Sequence, residues 1–257
     1  MAWFDEVHHF KKRKIKLAHI TDSHLFADPL GQYFNVNTAQ YLQQVLEQLN
    51  QYEIDGVIFG GDLTQDHSLA SYELFSSLLT RSGLSCPVFW VPGNHDEIPL
   101  LEGMSQGLIS TAKYLRTNEL DILLLDSKGE TPAGWCGSQH LQDIAAVLKR
   151  SDNKAIAFCH HHPLAINGYL DKHILENGPQ LLNTLVNAGD VLALFHGHVH
   201  NEYHAQFRGL DVYATPATSI QFAKHVSDWQ QQDCGPAWRL ISIDGQSYYT
   251  EVIWLSE

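Results

Sequence analysis

Residues 190–200 read DVLALFHGHVH, an apolar run that closes on three histidines at every second position: His196, His198 and His200. An extended chain sends alternate side chains to one face, so the three imidazoles could share one metal, serve two, or include one that only packs. The same arrangement, an apolar run ending in polar or Gly-rich residues, recurs along the chain. It appears in KLAHITDSH (16–24), DGVIFGGDLTQD (55–66), PVFWVPGNHDE (87–97), DILLLDS (121–127) and KAIAFCHHHP (154–163). Short runs rich in Val, Ile and Phe read as strands buried on both faces.

Amphipathic helical patterns lie between several of these runs. Apolar positions 41, 42, 45, 46 and 49 follow the 3.6-residue period, with Asn37 or Thr38 as N-cap. A second helix runs through Leu69, Tyr72, Phe75, Leu78 and Leu79 and stops at Gly83, and GPQLLNTLVNAG predicts a third. The last quarter (LDVYATPATSIQF, PAWRLISID, SYYTEVIWLSE) is strand-like, with a hairpin signal at Asp244-Gly245. The pattern predicts one α/β domain over residues 1–257, in which a β-rich second half closes a two-sheet sandwich and residues 1–14 form a flexible N-terminal extension. In open α/β sheets, sites gather at the carboxyl ends of strands.

Composition narrows the function. With 44% hydrophobic and 18% charged residues, the 257-residue chain can bury a full core. A formal net charge of −13 argues against a nucleic-acid partner, which is held by many Lys and Arg contacts. No segment approaches the roughly 18 consecutive apolar residues of a membrane span, and the start does not read as a secretory signal. Cys86, Cys136, Cys159 and Cys234 make no CxxC pair, as in a cytoplasmic protein with reduced thiols. The 16 histidines cluster as HHF, HHHP and HGHVH, which suggests metal.

Five of the six apolar runs are followed by candidate ligands: Asp22 and His24, Asp62, Asn94 with His95 and Asp96, His160, then His198 and His200. Carboxylate, carboxamide and imidazole are hard to borderline donors suited to Mn, Fe, Zn or Co. In order, TDSH, GGDLTQD, PGNHD, HHHP and HGHVH resemble the five blocks of the calcineurin-like metallophosphoesterases. TDSHLFA, GDLTQDHS, VPGNHD, ILLLDS, HHHPL and TPATSIQF are together similar to the bacterial class III cyclic-AMP phosphodiesterase subfamily, over nearly the whole chain.

The resemblance implies a four-layer α-β-β-α sandwich, two mixed sheets flanked by helices, with a dinuclear site at strand C-terminal ends. One metal would be held by Asp22, His24 and His200, a second by Asn94, His160 and His198, and Asp62 would bridge them. Two cations roughly 3.5–4 Å apart need a shared anion between them. Fe and Mn are the metals the resemblance implies, and the donor set also accepts Zn, Co or Ni. His196 has no role in the family pattern. Gly197 fits a close backbone approach. His161 and His162 could touch substrate, orient a neighbour or pack, and Cys159 is expected in the core.

The implied reaction is hydrolysis of 3′,5′-cyclic AMP to 5′-AMP by a bridging hydroxide. His95 would act as leaving-group acid, and Asn94, His95, His24 and His200 would contact the substrate. A carboxylate should orient His95, with Asp66 preferred to Asp96; as a structural residue Asp66 would cap the following helix. The 215–222 and 163–173 segments could line a base pocket, and 97–115 could form a lid. Competing readings are a metallophosphoesterase for 2′,3′-cyclic nucleotides, another phosphodiester or a phosphomonoester, and a non-catalytic scaffold, which should have lost its ligands. An oligomer is compatible with the sequence, although no pattern specifies one.

Overall fold

In the computed structural model, which describes residues 2–255, the run before Asp22 forms strand Lys14–Ile20, with Leu17, Ala18 and Ile20 fully buried. Burial on both faces needs a layer on each side. The strand lies inside a six-stranded sheet of order Ser247–Trp254, Ala237–Asp244, Lys14–Ile20, Gly56–Phe59, Val88–Trp90, Ile109–Ser110. A seven-stranded sheet runs Val7–His9, Tyr114–Arg116, Leu120–Leu124, Lys154–Phe158, Val191–His196, Leu210–Ala214, Tyr203–Phe207. Each mixes parallel and antiparallel pairs.

Ile58, Phe89 and Ile241 from the first sheet meet Ile122, Phe158 and Phe195 from the second in one buried cluster. Fully burying a side chain of this size contributes about 1.5–3 kcal/mol, so this middle layer holds the sheets face to face. Helices Thr38–Leu49 and Leu69–Ser82 cover the outer face of the six-stranded sheet. Ser138–Lys149 and Gly178–Ala188 cover that of the seven-stranded one. The result is the α-β-β-α layering that the resemblance implied.

Local chemistry sets the helix ends. Asn37 Oδ1 accepts from Gln40 N at 2.8 Å and is the cap, while Thr38 Oγ1 donates to the His24 carbonyl at 3.0 Å. That second bond ties the helix to the loop that carries Asp22 and His24. Ser68 caps the next helix, which ends on Gly83 at φ 77°.

Three expectations change. The 1–14 segment is not a flexible extension over its described part: Val7–His9 pairs in parallel with Tyr114–Arg116, and Phe4 and Phe10 are buried. Trp3 Nε1 also donates to the Leu124 carbonyl at 2.6 Å, so the aromatics of this segment bind it to the sheet. Met1 lies outside the described residues. The 97–115 stretch is no lid, since it forms helix Ile98–Met104 and the edge strand Ile109–Ser110. Helix Ser138–Lys149 was not anticipated; only Ile144, Val147 and Leu148 of it are buried, a narrow apolar stripe. Among the described residues, no helix is long and apolar enough to cross a membrane.

Candidate metal centre

Five parallel strands deliver the candidate ligands. Asp22 and His24 follow Lys14–Ile20, Asp62 follows Gly56–Phe59, and Asn94 and His95 follow Val88–Trp90. His160 follows Lys154–Phe158, and His198 and His200 follow Val191–His196. The two sheets bring these ends together at one rim. Asp22, His24 and His200 form one group whose ligand atoms lie within 4.8 Å of one another. His160, His161 and His198 form a second, and Asp22, Asp62 and His160 a third between them.

Remote carbonyls orient the imidazoles. His160 Nδ1 lies 2.7 Å from the Gly60 carbonyl, His200 Nδ1 2.8 Å from that of Ile220, and His198 Nε2 3.1 Å from that of His173. A carbonyl only accepts, so each facing nitrogen carries a proton and the other nitrogen is the one turned to the centre. The inward nitrogens converge. His200 Nε2 is 3.1 Å from His24 Nε2, and His198 Nδ1 is 3.2 Å from His160 Nε2. Asp62 Oδ2 sits between the two pairs, 3.3 Å from His160 Nε2 and 3.8 Å from His24 Nε2. Asp22 Oδ1 lies 3.3 Å from His200 Nε2.

The backbone is held in an uncommon form here. Asp22, His24, Asp62, His198 and His200 have φ of 55°, 45°, 54°, 67° and 45°. Left-handed backbone costs an L-residue roughly 1–2 kcal/mol and concentrates at functional sites. The surroundings enforce it: Asp22 N donates to Gly61 O at 2.9 Å, His24 N to Asp62 O at 3.1 Å, and Ser219 Oγ to Asp22 O at 2.6 Å. Gly197 makes the approach possible, because a Cβ there would lie 2.6 Å from Asp22 Oδ2.

The donor set fits metal cations. Buried Asn94 Oδ1 has no hydrogen-bond partner, and an orphaned buried carbonyl oxygen is what a cation would satisfy. The charges agree. Burial alone would raise Asp22, yet His200 and His160 hold it at about 2. Asp62 is likewise lowered against burial, chiefly by His160. Burial would lower His160, but Asp62 and Asp22 outweigh it and keep the imidazole up at about 9. His24 goes the other way, pushed to about 3 by burial and then by His200. Without a metal, a proton on His160 thus supplies part of the positive charge that two buried carboxylates demand.

His95 is half-buried at the rim, edge-on to His24 with centroids 5.0 Å apart and stacked on His67 at 5.4 Å. Its Nδ1 has no partner, and burial lowers its pKa against the pull of Asp62. Asp66 does not orient it. The Asp66 carboxylate accepts from Ala27 N at 2.7 Å and from Ser68 Oγ at 2.7 Å, an Asx-turn just before the helix that Ser68 caps. Asp96 does not orient it either, because its oxygens accept from Asp62 N, Leu63 N and Gly93 N at 2.8, 2.8 and 2.9 Å. Both carboxylates hold backbone, where loop donors outcompete a side chain.

The other histidines separate. His196 is buried with its Nδ1 2.9 Å from the Gly197 carbonyl, outside the ligand groups among the described residues. His161 joins them, a placement that sequence reasoning left open. Strand Lys154–Phe158 has ended, alternation is lost, and Ser127 Oγ holds His161 Nδ1 at 3.0 Å while Nε2 has no partner. The HHHP triplet was the only signal for it. Thr215 to Gln221 lie buried and brace the Asp22 loop through Thr218 and Ser219, so that stretch does not line an open pocket. Cys159 is fully buried, as expected.

The profile of the family described as calcineurin-like phosphoesterase matches residues 15–202. A probable cyclic nucleotide phosphodiesterase of Pseudoalteromonas sp. (strain SM9913) is 56% identical over 261 residues, covering 100% of both chains. The 3′,5′-cyclic adenosine monophosphate phosphodiesterase CpdA of Haemophilus influenzae is 36% identical, over 96% of this chain and 92% of its own. Among solved structures, a dimetal phosphatase from Danio rerio shares the fold with a TM-score of 0.62 at 16% identity, covering 94% of this chain and 99% of the other.

Proposed function

This chain belongs to the calcineurin-like phosphoesterase family, and we propose that it is a metal-dependent phosphodiesterase that hydrolyses 3′,5′-cyclic AMP to 5′-AMP in the cytoplasm. The observation that carries the reading is the pair of facing donor sets joined at Asp62, in a chain that aligns end to end with a relative named for cyclic nucleotides.

Asp22, His24 and His200 would hold one cation and Asn94, His160 and His198 the other, with Asp62 shared. Fe and Mn are the proposed pair; imidazole, carboxylate and carboxamide donors accept Zn, Co or Ni as well. His161, through its unpartnered Nε2, is a further donor toward the second position. When bound, the two ions supply charge against the phosphate and make water a nucleophile at neutral pH.

The chain's own residues do the rest. Asn94 is a neutral donor, so it adds no negative charge against an anionic substrate. His95, at the rim with a free Nδ1, would donate a proton to the departing ribose oxygen. Burial disfavours its charged form, and the negative phosphate would reverse that balance on binding. Such acid catalysis is typically worth about 10²–10⁴-fold. Lys128 Nζ donates to the Asn94 carbonyl at 3.1 Å and steadies the loop that carries Asn94 and His95.

The test is hydrolysis of 3′,5′-cyclic AMP by metal-reconstituted protein, with products separated by chromatography and 2′,3′-cyclic AMP and an aryl phosphodiester run alongside. Efficient formation of 5′-AMP, abolished by chelation and by His95→Ala without loss of metal, is the expected result. Inertness toward the 3′,5′ ring with the aryl diester still cleaved would assign another diester, and release of free phosphate would assign a phosphomonoesterase. Failure to bind metal at all would leave only a scaffold.

A further inference from the structure

Six rings form a closed circuit of contacts at the edge of the centre. Tyr33 stacks on His24 with centroids 4.9 Å apart, and Phe34 follows Tyr33 at 4.7 Å. Phe34 stacks on Trp229 at 4.2 Å and 30° between planes, and Trp229 lies 6.3 Å from Phe222. Phe222 stacks on His200 at 4.2 Å and 3°, and His200 returns to His24 at 5.0 Å. An aromatic wall therefore rises from two candidate metal ligands and reaches solvent at Phe34, which is 44% exposed.

Two hairpins build the wall. In the first, Tyr33 pairs with Val36, and the two-residue tip Phe34-Asn35 has φ of 45° and 66°. A tip with positive φ at both positions favours Asn-Gly or Asp-Gly, and a bulky residue there is an outlier. An exposed Phe at a strained tip serves neither the core nor the turn, and strain of this kind concentrates at ligand clamps. In the second hairpin, Gln221–Phe222 pairs with Gln231–Gln232, and Phe222 N donates to the His200 carbonyl at 2.9 Å. The two hairpins meet at the Phe34–Trp229 contact.

We propose that Phe34 and Trp229 form the platform on which the nucleobase of the substrate stacks. This rests on the cyclic-nucleotide reading above and extends it to the residues that recognise the base. A planar, largely apolar base fits an exposed aromatic face. The phosphate, held at the rim beside His24 and His200, would lie at the foot of the same wall.

The test compares 3′,5′-cyclic AMP with the abasic methyl riboside 3′,5′-cyclic phosphate on metal-reconstituted wild type, Phe34→Asn, Trp229→Phe and Trp229→Ala. Stacking of one base on an aromatic side chain corresponds to roughly 5- to 150-fold in affinity. Trp229→Ala and Phe34→Asn are expected to raise KM for cyclic AMP by about tenfold or more with kcat little changed. The abasic substrate, with nothing to stack, should respond to neither, and Trp229→Phe should keep most of the affinity. Phe34→Asn should also raise the Tm, because Asn tolerates the left-handed tip; a purely structural Phe34 would give a lower Tm.

Equal changes for both substrates, or none for either, would overturn the proposal. So would an effect confined to Trp135→Ala, which would move the base to the cavity of about 560 Å³ lined by Lys128, Trp135 and Glu176. If wild type does not hydrolyse cyclic AMP, the earlier reading fails by itself. The platform is then judged by quenching of tryptophan fluorescence by adenosine, and quenching that is unchanged in Trp229→Phe would refute it.

Discussion

Replacing Gly197 by Ala places one methyl group against a candidate ligand of the centre. An added Cβ would lie 2.6 Å from Asp22 Oδ2 and 3.1 Å from Thr21 Cβ, and nearer still to Thr21 Oγ1. Neither neighbour can turn away, since both are fully buried and Thr21 Oγ1 donates to Asp22 Oδ2 at 2.6 Å. The glycine's own segment is pinned by Gly197 N on the His160 carbonyl at 3.1 Å and by His198 N on Asp22 Oδ2 at 3.0 Å. Forcing a methyl group into a packed interior costs about 1–3 kcal/mol. At roughly 2–4 °C per kcal/mol for a chain of this size, the Tm should fall by roughly 2–12 °C. Because the displaced atom is a candidate ligand, metal affinity should fall with it. Thermal unfolding with and without metal, together with a metal titration, reads both quantities. Gly103→Ala is the control of opposite sign. It lies in helix Ile98–Met104 with nothing within 4 Å of an added Cβ, so it should gain about 0.5–1 kcal/mol. A Gly197→Ala protein that matched wild type in Tm and in metal affinity would refute the close-approach argument.

Metal analysis of purified variants should show that Asn94→Ala lowers occupancy at one position and Asp62→Ala at both; equal losses would contradict Asp62 as the shared ligand. Metal affinity should depend on pH through His160, whose pKa in the metal-free protein stands at about 9. Below that value a cation must displace a proton, so affinity should fall by up to about tenfold per pH unit as pH decreases. A pH-independent dissociation constant between pH 6 and 8 would sink this account. Lys113, buried with its Nζ on the Trp90 carbonyl at 2.8 Å, has its pKa lowered far below the ordinary 10.5 by burial. The unfolded chain therefore binds the extra proton, and this contribution makes stability rise with pH up to the unfolded value. Lys113→Met should be more stable than wild type at neutral pH, and the difference between their Tm values should shrink toward pH 10. A constant difference would mean that the lysine is charged in place.

Much of the centre was legible because its donors sit where local patterns are strong. A buried strand must end, and Asp22, Asp62, Asn94, His160 and His198 each stand just past such an end, so order and spacing marked them as candidates and the family resemblance supplied the roles. One helix start was legible for the same reason, since the Asn37 cap is decided within a few residues; at the next helix the sequence offered Asp66, whereas Ser68 is the cap. Legibility failed where one short polar side chain had several neighbours to choose from. Asp66 read as a partner for His95, yet the nearest donors are Ala27 N and the Ser68 hydroxyl, one of them 39 residues away in sequence. The 1–14 segment read as an extension because its basic run hides the aromatics that dock it. His161 was obscure because strand alternation stops one turn before it.

By itself, then, the sequence determined an α/β chain with two sheets, the donor chemistry and the strand ends that carry it, all properties of short stretches and their periodicity, while the four-layer order came from the family resemblance. Only the tertiary structure decided which nitrogen of each imidazole faces inward, since the carbonyls that settle it belong to Gly60, Ile220 and His173, on other segments. It also decided that five candidate-ligand backbones are left-handed and that two hairpins close an aromatic wall beside them. Long-range hydrogen bonds and packing select among conformations that the local chain would not adopt alone, and no local pattern records that selection.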